Sequence, residues 1–196
     1  MGSLVLSVFV SLDGYMEMPN GQFRPPAWSD DLATHWSGYA LGRARHLVYG
    51  RVNFLFNKAF WMPAATDKSS PAAGVPHAAT MNSLPKTVFS RTLSGDPGWN
   101  ARLAGPDLPA EIARLKREVD GDIFAFGGAS LANALMRADV VDEYFVMVLP
   151  ELWGEGRRLF EPGRPEMKLK LLDTRSFDTG AVALRYARDR AEGAAP

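Results

Sequence analysis

The chain contains no cysteine, which removes disulfides, thiolate metal sites and cysteine nucleophiles together. It carries no excess of either charge: lysine plus arginine number 22, aspartate plus glutamate 22, and the formal net charge is zero. Proteins that ride on nucleic acid or an anionic membrane carry a basic surplus. Neither partner is therefore expected, although neutrality leaves room for a local basic pocket holding one phosphate. No run of 18 apolar residues occurs, as a membrane-spanning helix would need. The three histidines, His35, His46 and His77, lack metal-ligand spacing, so no metal site is expected. The apolar start Leu4 to Val10 has no basic segment before it and runs at once into Ser11-Leu12-Asp13-Gly14; it reads as a first strand, not a secretion signal. A cytoplasmic, soluble protein is expected.

What is present is ordinary for a folded chain: 46% hydrophobic and 22% charged residues over 196 positions, enough for one domain with a closed core. That domain is expected over 1–188, with a frayed polar tail over 189–196. Strands are read at Leu4 to Val10, His46 to Tyr49, Lys86 to Ser90, Arg102 to Ala104, Ile123 to Phe126 and Val141 to Leu149, from their short apolar, β-branched or aromatic runs. Helices are read from Ser29, an N-cap followed by Asp30 and Asp31 with Leu32, Trp36, Tyr39 and Arg43 on one stripe, over 51–57, from the cap Asp107, and from Ser130 to Ala138. Residues 15–28 and 58–76 read as loops. Met167, Leu169 and Leu171 alternate with lysines, the mark of a strand with one wet face, and Asp178-Thr179-Gly180 turns the chain back into Val182, Leu184 and Tyr186. Strand and helix alternate and a hairpin closes the chain: an α/β fold, a doubly wound, mostly parallel sheet with an antiparallel C-terminal hairpin and helices on both faces.

Three chain reversals follow strands. In Phe124-Ala125-Phe126-Gly127-Gly128-Ala129-Ser130-Leu131 an apolar strand delivers two glycines to a helix start, where free amides and the helix dipole suit an anion. The pair would serve equally as a tight turn, and it is not the G-x-G-x-x-G fingerprint. Gly50-Arg51 and Ser90-Arg91-Thr92 put arginines just after two further strands. Ligands of open α/β sheets lie outside the carboxyl ends of the strands, and guanidinium groups there suit a phosphate. Each arginine alone reads as well as a solvated surface residue. Asp13 and Asp31 are carboxylates near the same rim. A hydride acceptor also takes a proton, and a part-buried carboxyl with a raised pKa would donate it; that role is assigned to Asp31, although Asp13-Gly14 also reads as a turn and Asp30-Asp31 as a helix cap. Trp28 is placed over a flat substrate ring.

These segments, with Met81-Asn82, Leu84-Pro85-Lys86, Val141-Asp142-Glu143-Tyr144, Pro150 and Gly154-Glu155-Gly156-Arg157-Arg158-Leu159-Phe160, occur in the order found in a known group. The chain resembles the dihydrofolate-reductase-like superfamily, and within it the reductase domain of riboflavin biosynthesis, the C-terminal half of the bifunctional deaminase–reductase. The resemblance implies a dihydrofolate-reductase-like fold and NADPH as cofactor. It implies that Gly50, Arg51, Ser90, Arg91 and Thr92 hold the adenosine 2′-phosphate side, and that Phe126, Gly127, Gly128, Ala129, Ser130 and Leu131 hold the pyrophosphate and abut the nicotinamide. Val10 would border the nicotinamide, with Asp13 and Gly14 toward the substrate. It implies reduction of a small heterocyclic or sugar-derived molecule, as in 5-amino-6-(5-phosphoribosylamino)uracil reductase, with a pteridine or dihydrofolate reductase and a non-catalytic NADPH-binding or sensing module as alternatives. Such domains are commonly homodimers, a pairing that Val141 to Leu149 could support. With no cysteine the sequence holds no zinc deaminase motif, and Tyr15-Met16 stands where the riboflavin enzymes have a basic residue after Ser-x-Asp-Gly.

Overall fold

A computed structural model describes residues 1–22, 24–162 and 166–190. The elements run β1 (Ser3–Ser11), β2 (Tyr15–Glu17), α1 (Asp30–Leu32), a π turn (Ala33–Ser37), α2 (Gly38–Arg43), β3 (Ala44–Gly50), α3 (Arg51–Trp61), a 3-10 turn (Met62–Ala65), α4 (Ala78–Ser83), β4 (Lys86–Phe89), β5 (Ala101–Leu103), α5 (Leu108–Glu118), β6 (Asp122–Phe126), α6 (Ala129–Arg137), β7 (Glu143–Leu149), β8 (Arg157–Arg158), β9 (Leu169–Ser176) and β10 (Val182–Arg188). Eight strands form one sheet in the order β5-β4-β3-β6-β1-β7-β10-β9, and β2 pairs with β8 in a small ribbon. The first six are parallel, β10 is antiparallel to β7, and β9 is antiparallel to β10. This is the doubly wound sheet with an antiparallel edge that the pattern predicts.

The sheet is coated on both faces, so its central strands are apolar on both. In β1, Leu4, Leu6, Val8 and Val10 enter a core shared with Ile112 and Leu115 of α5 and Leu131, Leu135 and Met136 of α6. Val5 enters the other, with Leu32, Trp36 and Leu41 beside α1 and α2 and Phe54 of α3. Trp36 stacks on Phe145 with ring centroids 3.9 Å apart. Burial on both faces is why β1 reads as a continuous apolar run and not as an alternation.

Several expectations are corrected. The apolar strand β7 cannot serve as a dimer surface: β1 and β10 pair with it on either side, and six of its seven residues are buried. Exposed apolar side chains gather instead on α3 and just past it, at Val52, Leu55, Phe56, Phe60 and Met62, and also on the edge strand β9, at Leu169, Leu171 and Leu172. β9 has no dry face, because it is the outermost strand and all eight of its residues are exposed. Residues 58–76 are not a structureless loop, since α3 runs on to Trp61 and the chain then folds into turns. The short α4 escapes the sequence pattern and is held by Asn82, which accepts from the Trp99 indole at 2.6 Å and donates to the Trp61 carbonyl at 2.9 Å. Of the expected frayed tail, Asp189 and Arg190 are tied to Lys168, Asp139 and Asp142; 191–196 lie outside the described residues.

One ion-pair cluster stitches the opposite edge. Arg43, at the end of α2, donates to Asp122 at the start of β6 (2.6 Å) and to both carboxylate oxygens of Glu143 at the start of β7 (3.0 and 3.2 Å), and touches the Tyr39 hydroxyl. Arg185 donates to the same Glu143 at 3.1 Å.

Candidate functional site

The register decides which turns meet. Gly50 pairs with Phe89 and Tyr49 with Phe126, so β4, β3 and β6 end level with one another, each about 4.8 Å from its neighbour. Ser90-Arg91-Thr92, Gly50-Arg51 and Gly127-Gly128 therefore leave the same edge of the sheet side by side. A Cβ on Gly50 would lie 3.5 Å from the Leu131 Cβ, so the turn before α3 packs on the first turn of α6. Asn53 of α3 locks the arrangement by donating to the Phe126 carbonyl at 2.6 Å. The Ser90 hydroxyl accepts from the Thr92 and Leu93 amides at 3.1 and 2.9 Å and shapes its loop. Arg51, Arg91 and Thr92 are exposed, and neither guanidinium has a hydrogen-bond or ion-pair partner among the described residues. Two exposed cationic residues thus follow β3 and β4, the strands to one side of β6, whose turn leads into a helix N-terminus.

That N-terminus already holds an anion. Gly128 is the N-cap of α6, and the Ala129 amide donates to the Glu17 carboxylate at 2.7 Å. The Glu17 side chain is only 14% exposed, and its other oxygen lies 3.6 Å from the Arg157 guanidinium. A Cβ on Gly128 would come within 2.7 Å of the same carboxylate, so glycine there makes room for Glu17.

β1 outruns its neighbour. Its last pairing with β6 is Ser7 to Phe126, but it stays paired with β7 to Ser11, so its end projects four residues, about 13 Å, past the Gly-Gly turn. Val10 is buried there and Leu12 is exposed. Gly14 adopts φ +92, a conformation that favours glycine. Asp13 is a brace: it accepts from the Ser11 hydroxyl at 2.6 Å and from the Trp153 and Gly154 amides at 3.1 and 2.8 Å. These donors, Ser11 foremost, hold its pKa down to about 2. Because the folded value lies below the ordinary one, the stability this carboxylate contributes is complete above about pH 4 and is lost as pH falls through about 2. Asp13→Asn is expected to be less stable than the parent at pH 7, with the gap closing between pH 4 and 2 as read by urea midpoints; parallel curves would contradict the assignment.

Asp31 and Trp28 stand elsewhere on the rim. The β9–β10 turn lies at the carboxyl end of β7, three strand spacings, about 14 Å, from β6. Ser29 caps α1 as expected, accepting from the Leu32 amide at 3.2 Å, and donates to Asp178 of that turn at 2.6 Å. Asp31 pairs with Arg175 at 2.8 Å, accepts from the Asp178 amide at 3.3 Å and lies 3.7 Å from His35. The Arg175 hydrogen bond chiefly lowers its pKa, whereas the sequence reading of Asp31 as proton donor asks for a raised one. Trp28 is 55% exposed.

Residues 3–183 match the model of the RibD C-terminal domain. The chain belongs to that family. YyaP of Bacillus subtilis, an uncharacterised protein, is 28% identical over 185 residues, 93% of either chain; YwjB of the same organism, also uncharacterised, is 42% identical over 79 residues, 40% of this chain and 45% of that one. Among solved structures, a protein of Shewanella sp. PV-4 named provisionally for riboflavin biosynthesis superposes with TM-score 0.71 at 23% identity, over 97% of this chain and 100% of that one. Acinetobacter baumannii RibD gives 0.67 at 18% identity, over 97% of this chain and 59% of RibD. At these identities the structures establish a shared fold.

For this RibD C-terminal domain, sequence reading missed the residues that act across long separations: Glu17 on Ala129, Asn53 on Phe126, and the loop after β7 that grips Asp13. It also passed over β8. Arg158 donates to the Asp13 carbonyl at 3.1 Å and to the Tyr15 hydroxyl at 2.9 Å, and with Arg157 it brings two guanidinium groups to the ribbon where Tyr15-Met16 replaces a basic residue. Three buried hydroxyls, Ser7, Tyr49 and Ser70, have no hydrogen-bond partner among the described residues, and the first two flank Phe126 in the register. A cavity of about 490 Å³, lined by His46, Lys86, Trp99, Asn100 and Arg102 among others, opens at the far edge, where β4 and β5 begin. Burial pushes His46 down to about 4 and Lys86 down to about 8 there. It is remote from the turns that the RibD-type fold brings together.

Proposed function

We propose that this RibD C-terminal domain is an NADPH-dependent reductase acting on a small heterocyclic or sugar-derived molecule. The observation that carries the proposal is the convergence of three strand-end turns on one edge, with Arg51 and Arg91 exposed and without hydrogen-bond or ion-pair partners among the described residues. Gly50, Arg51, Ser90, Arg91 and Thr92 would hold the 2′-phosphate side of the nucleotide. Residues Phe126 to Leu131 would hold the pyrophosphate, where the Ser130 and Leu131 amides lie in the first turn of α6. Val10 would border the nicotinamide and the projecting end of β1, with Gly14 and Trp28, the substrate. The cofactor would supply the hydride; the protein orients it and sets the electrostatics. Arg157 and Arg158 restore basic charge beside Tyr15, which favours an acidic or phosphorylated substrate. A solved Thermotoga maritima relative, with TM-score 0.61 at 16% identity, is named as a deaminase and 5-amino-6-(5-phosphoribosylamino)uracil reductase, and supports a pyrimidine as the first class to test.

One observation favours a second reading, a nucleotide-sensing module without turnover: the two carboxylates that the sequence offers as acids, Asp13 and Asp31, are engaged by neighbours and their protonated forms disfavoured. Incubation with NADPH and a panel of pyrimidines, pteridines and small carbonyl compounds, followed by loss of reduced-nicotinamide absorbance, separates the two. Oxidation with any of them supports the reductase. Tight binding without oxidation across the panel supports the sensor, and no rise in melting temperature with NADPH removes both. The homodimer is proposed to form through the exposed apolar stripe of α3, where contiguous apolar surface is what an interface requires; a monomeric mass in sedimentation equilibrium at micromolar concentration would remove it.

A further inference from the structure

We propose that Glu17 is a built-in competitor for the nucleotide's pyrophosphate and so a determinant of cofactor affinity in this domain. The inference rests on the NADPH reading above and deepens it. A nucleotide phosphate seated on the Gly-Gly turn needs the α6 N-terminus, and the Glu17 carboxylate occupies that position, accepting the Ala129 amide at 2.7 Å. The occupation is specific. Glu17 is delivered by the β2–β8 ribbon, where it pairs with Arg157. Its backbone is fixed against Gly156, since a Cβ there would lie 2.1 Å from the Glu17 carbonyl oxygen. The side chain is mostly buried, and the turn omits a side chain at Gly128 to admit it. Two anions cannot share one amide and one helix dipole without repulsion. For a phosphate to bind, the carboxylate has to swing off Ala129 toward Arg157, whose guanidinium already lies 3.6 Å from its other oxygen. The ribbon itself need not unpair. Glu17 then satisfies the first turn of α6 when the nucleotide is absent and leaves it when the nucleotide arrives, so part of the binding free energy goes into the exchange.

The test is isothermal titration of the full chain with NADPH and with adenosine 2′-monophosphate, which carries the 2′-phosphate but no pyrophosphate. Glu17→Ala is expected to bind NADPH about tenfold more tightly than the parent, with adenosine 2′-monophosphate changed less than about twofold. Glu17→Gln keeps the acceptor and loses the charge, and is expected to fall between the two; it stands in should the alanine variant fail to fold. Tighter binding confined to NADPH supports the proposal. Unchanged or weaker NADPH binding in a variant whose parent binds NADPH overturns it and leaves the nucleotide reading intact. An equal gain for both ligands reduces the effect to net charge and also overturns it. If parent and variants alike bind neither ligand, the nucleotide reading itself fails and the proposal goes with it.

Discussion

Replacing Arg51 and Arg91 together by alanine is expected to weaken NADPH binding by about 100-fold while changing NADH binding by less than about threefold. A charge-assisted hydrogen bond to an anion contributes about 1.5–3 kcal/mol, and two such losses at the low end already reach that factor. NADH lacks the 2′-phosphate, so it has nothing to lose at these side chains. The comparison is clean because both residues are exposed and unpartnered among the described residues, which leaves the stability of the unliganded protein nearly untouched. Titration calorimetry with both nucleotides reads the ratio, and a melting curve without nucleotide checks the fold. Equal losses for the two would withdraw the 2′-phosphate from these strand ends and leave the α6 N-terminus as the remaining anion site.

The largest effect on stability is expected from Arg43→Ala. One guanidinium serves Asp122, Glu143 and Tyr39, thereby tying the end of α2 to the starts of two central strands. Glu143 is 8% exposed. Removing Arg43 leaves it, among the described residues, with Arg185 alone and leaves Asp122 without this partner. Breaking one side of a fully buried pair costs about 3–5 kcal/mol; Arg43 is 29% exposed at its side chain, and solvent screening reduces the expectation to about 2–3 kcal/mol. In a chain of this length that lowers the melting temperature by about 5–10 °C. Urea unfolding at pH 7 measures it, and a loss below about 1 kcal/mol would mean that water and Arg185 already suffice for Glu143. Because the cluster lies at the edge opposite the three turns, nucleotide affinity per folded molecule should not change.

The two experiments probe parts of the protein that differ in how legible they are. Arg51 and Arg91 can be found along the chain because each follows a short apolar run and a helix or turn begins beside it; strand, turn and cation are contiguous. Arg43 was visible only as a residue on a helical stripe. Its partners lie 79 and 100 residues away, and no local pattern marks them. The same distinction applies to Asp31. Asp31 and the cap Ser29 are local features, and the cap forms as expected. Arg175, which holds Asp31 ionised, arrives 144 residues later on an edge strand. A carboxylate's protonation state depends on its neighbours in space, so its sequence position alone could not set it.

Local chemistry therefore determined the alternation of strands and helices, the closing hairpin, the caps at Ser29 and Asp107, and the three reversals at strand ends, because each depends on hydrophobic period, backbone freedom and side chains a few residues apart. Only the tertiary structure decided that β4, β3 and β6 end level, that β7 is interior while α3 keeps an apolar stripe exposed, and that Glu17 reaches across 112 residues to the first amide of α6. Those outcomes follow from strand order and register, which are settled when both faces of the sheet are buried at once. Which turns become neighbours, and which anion reaches a helix end first, is set by that packing.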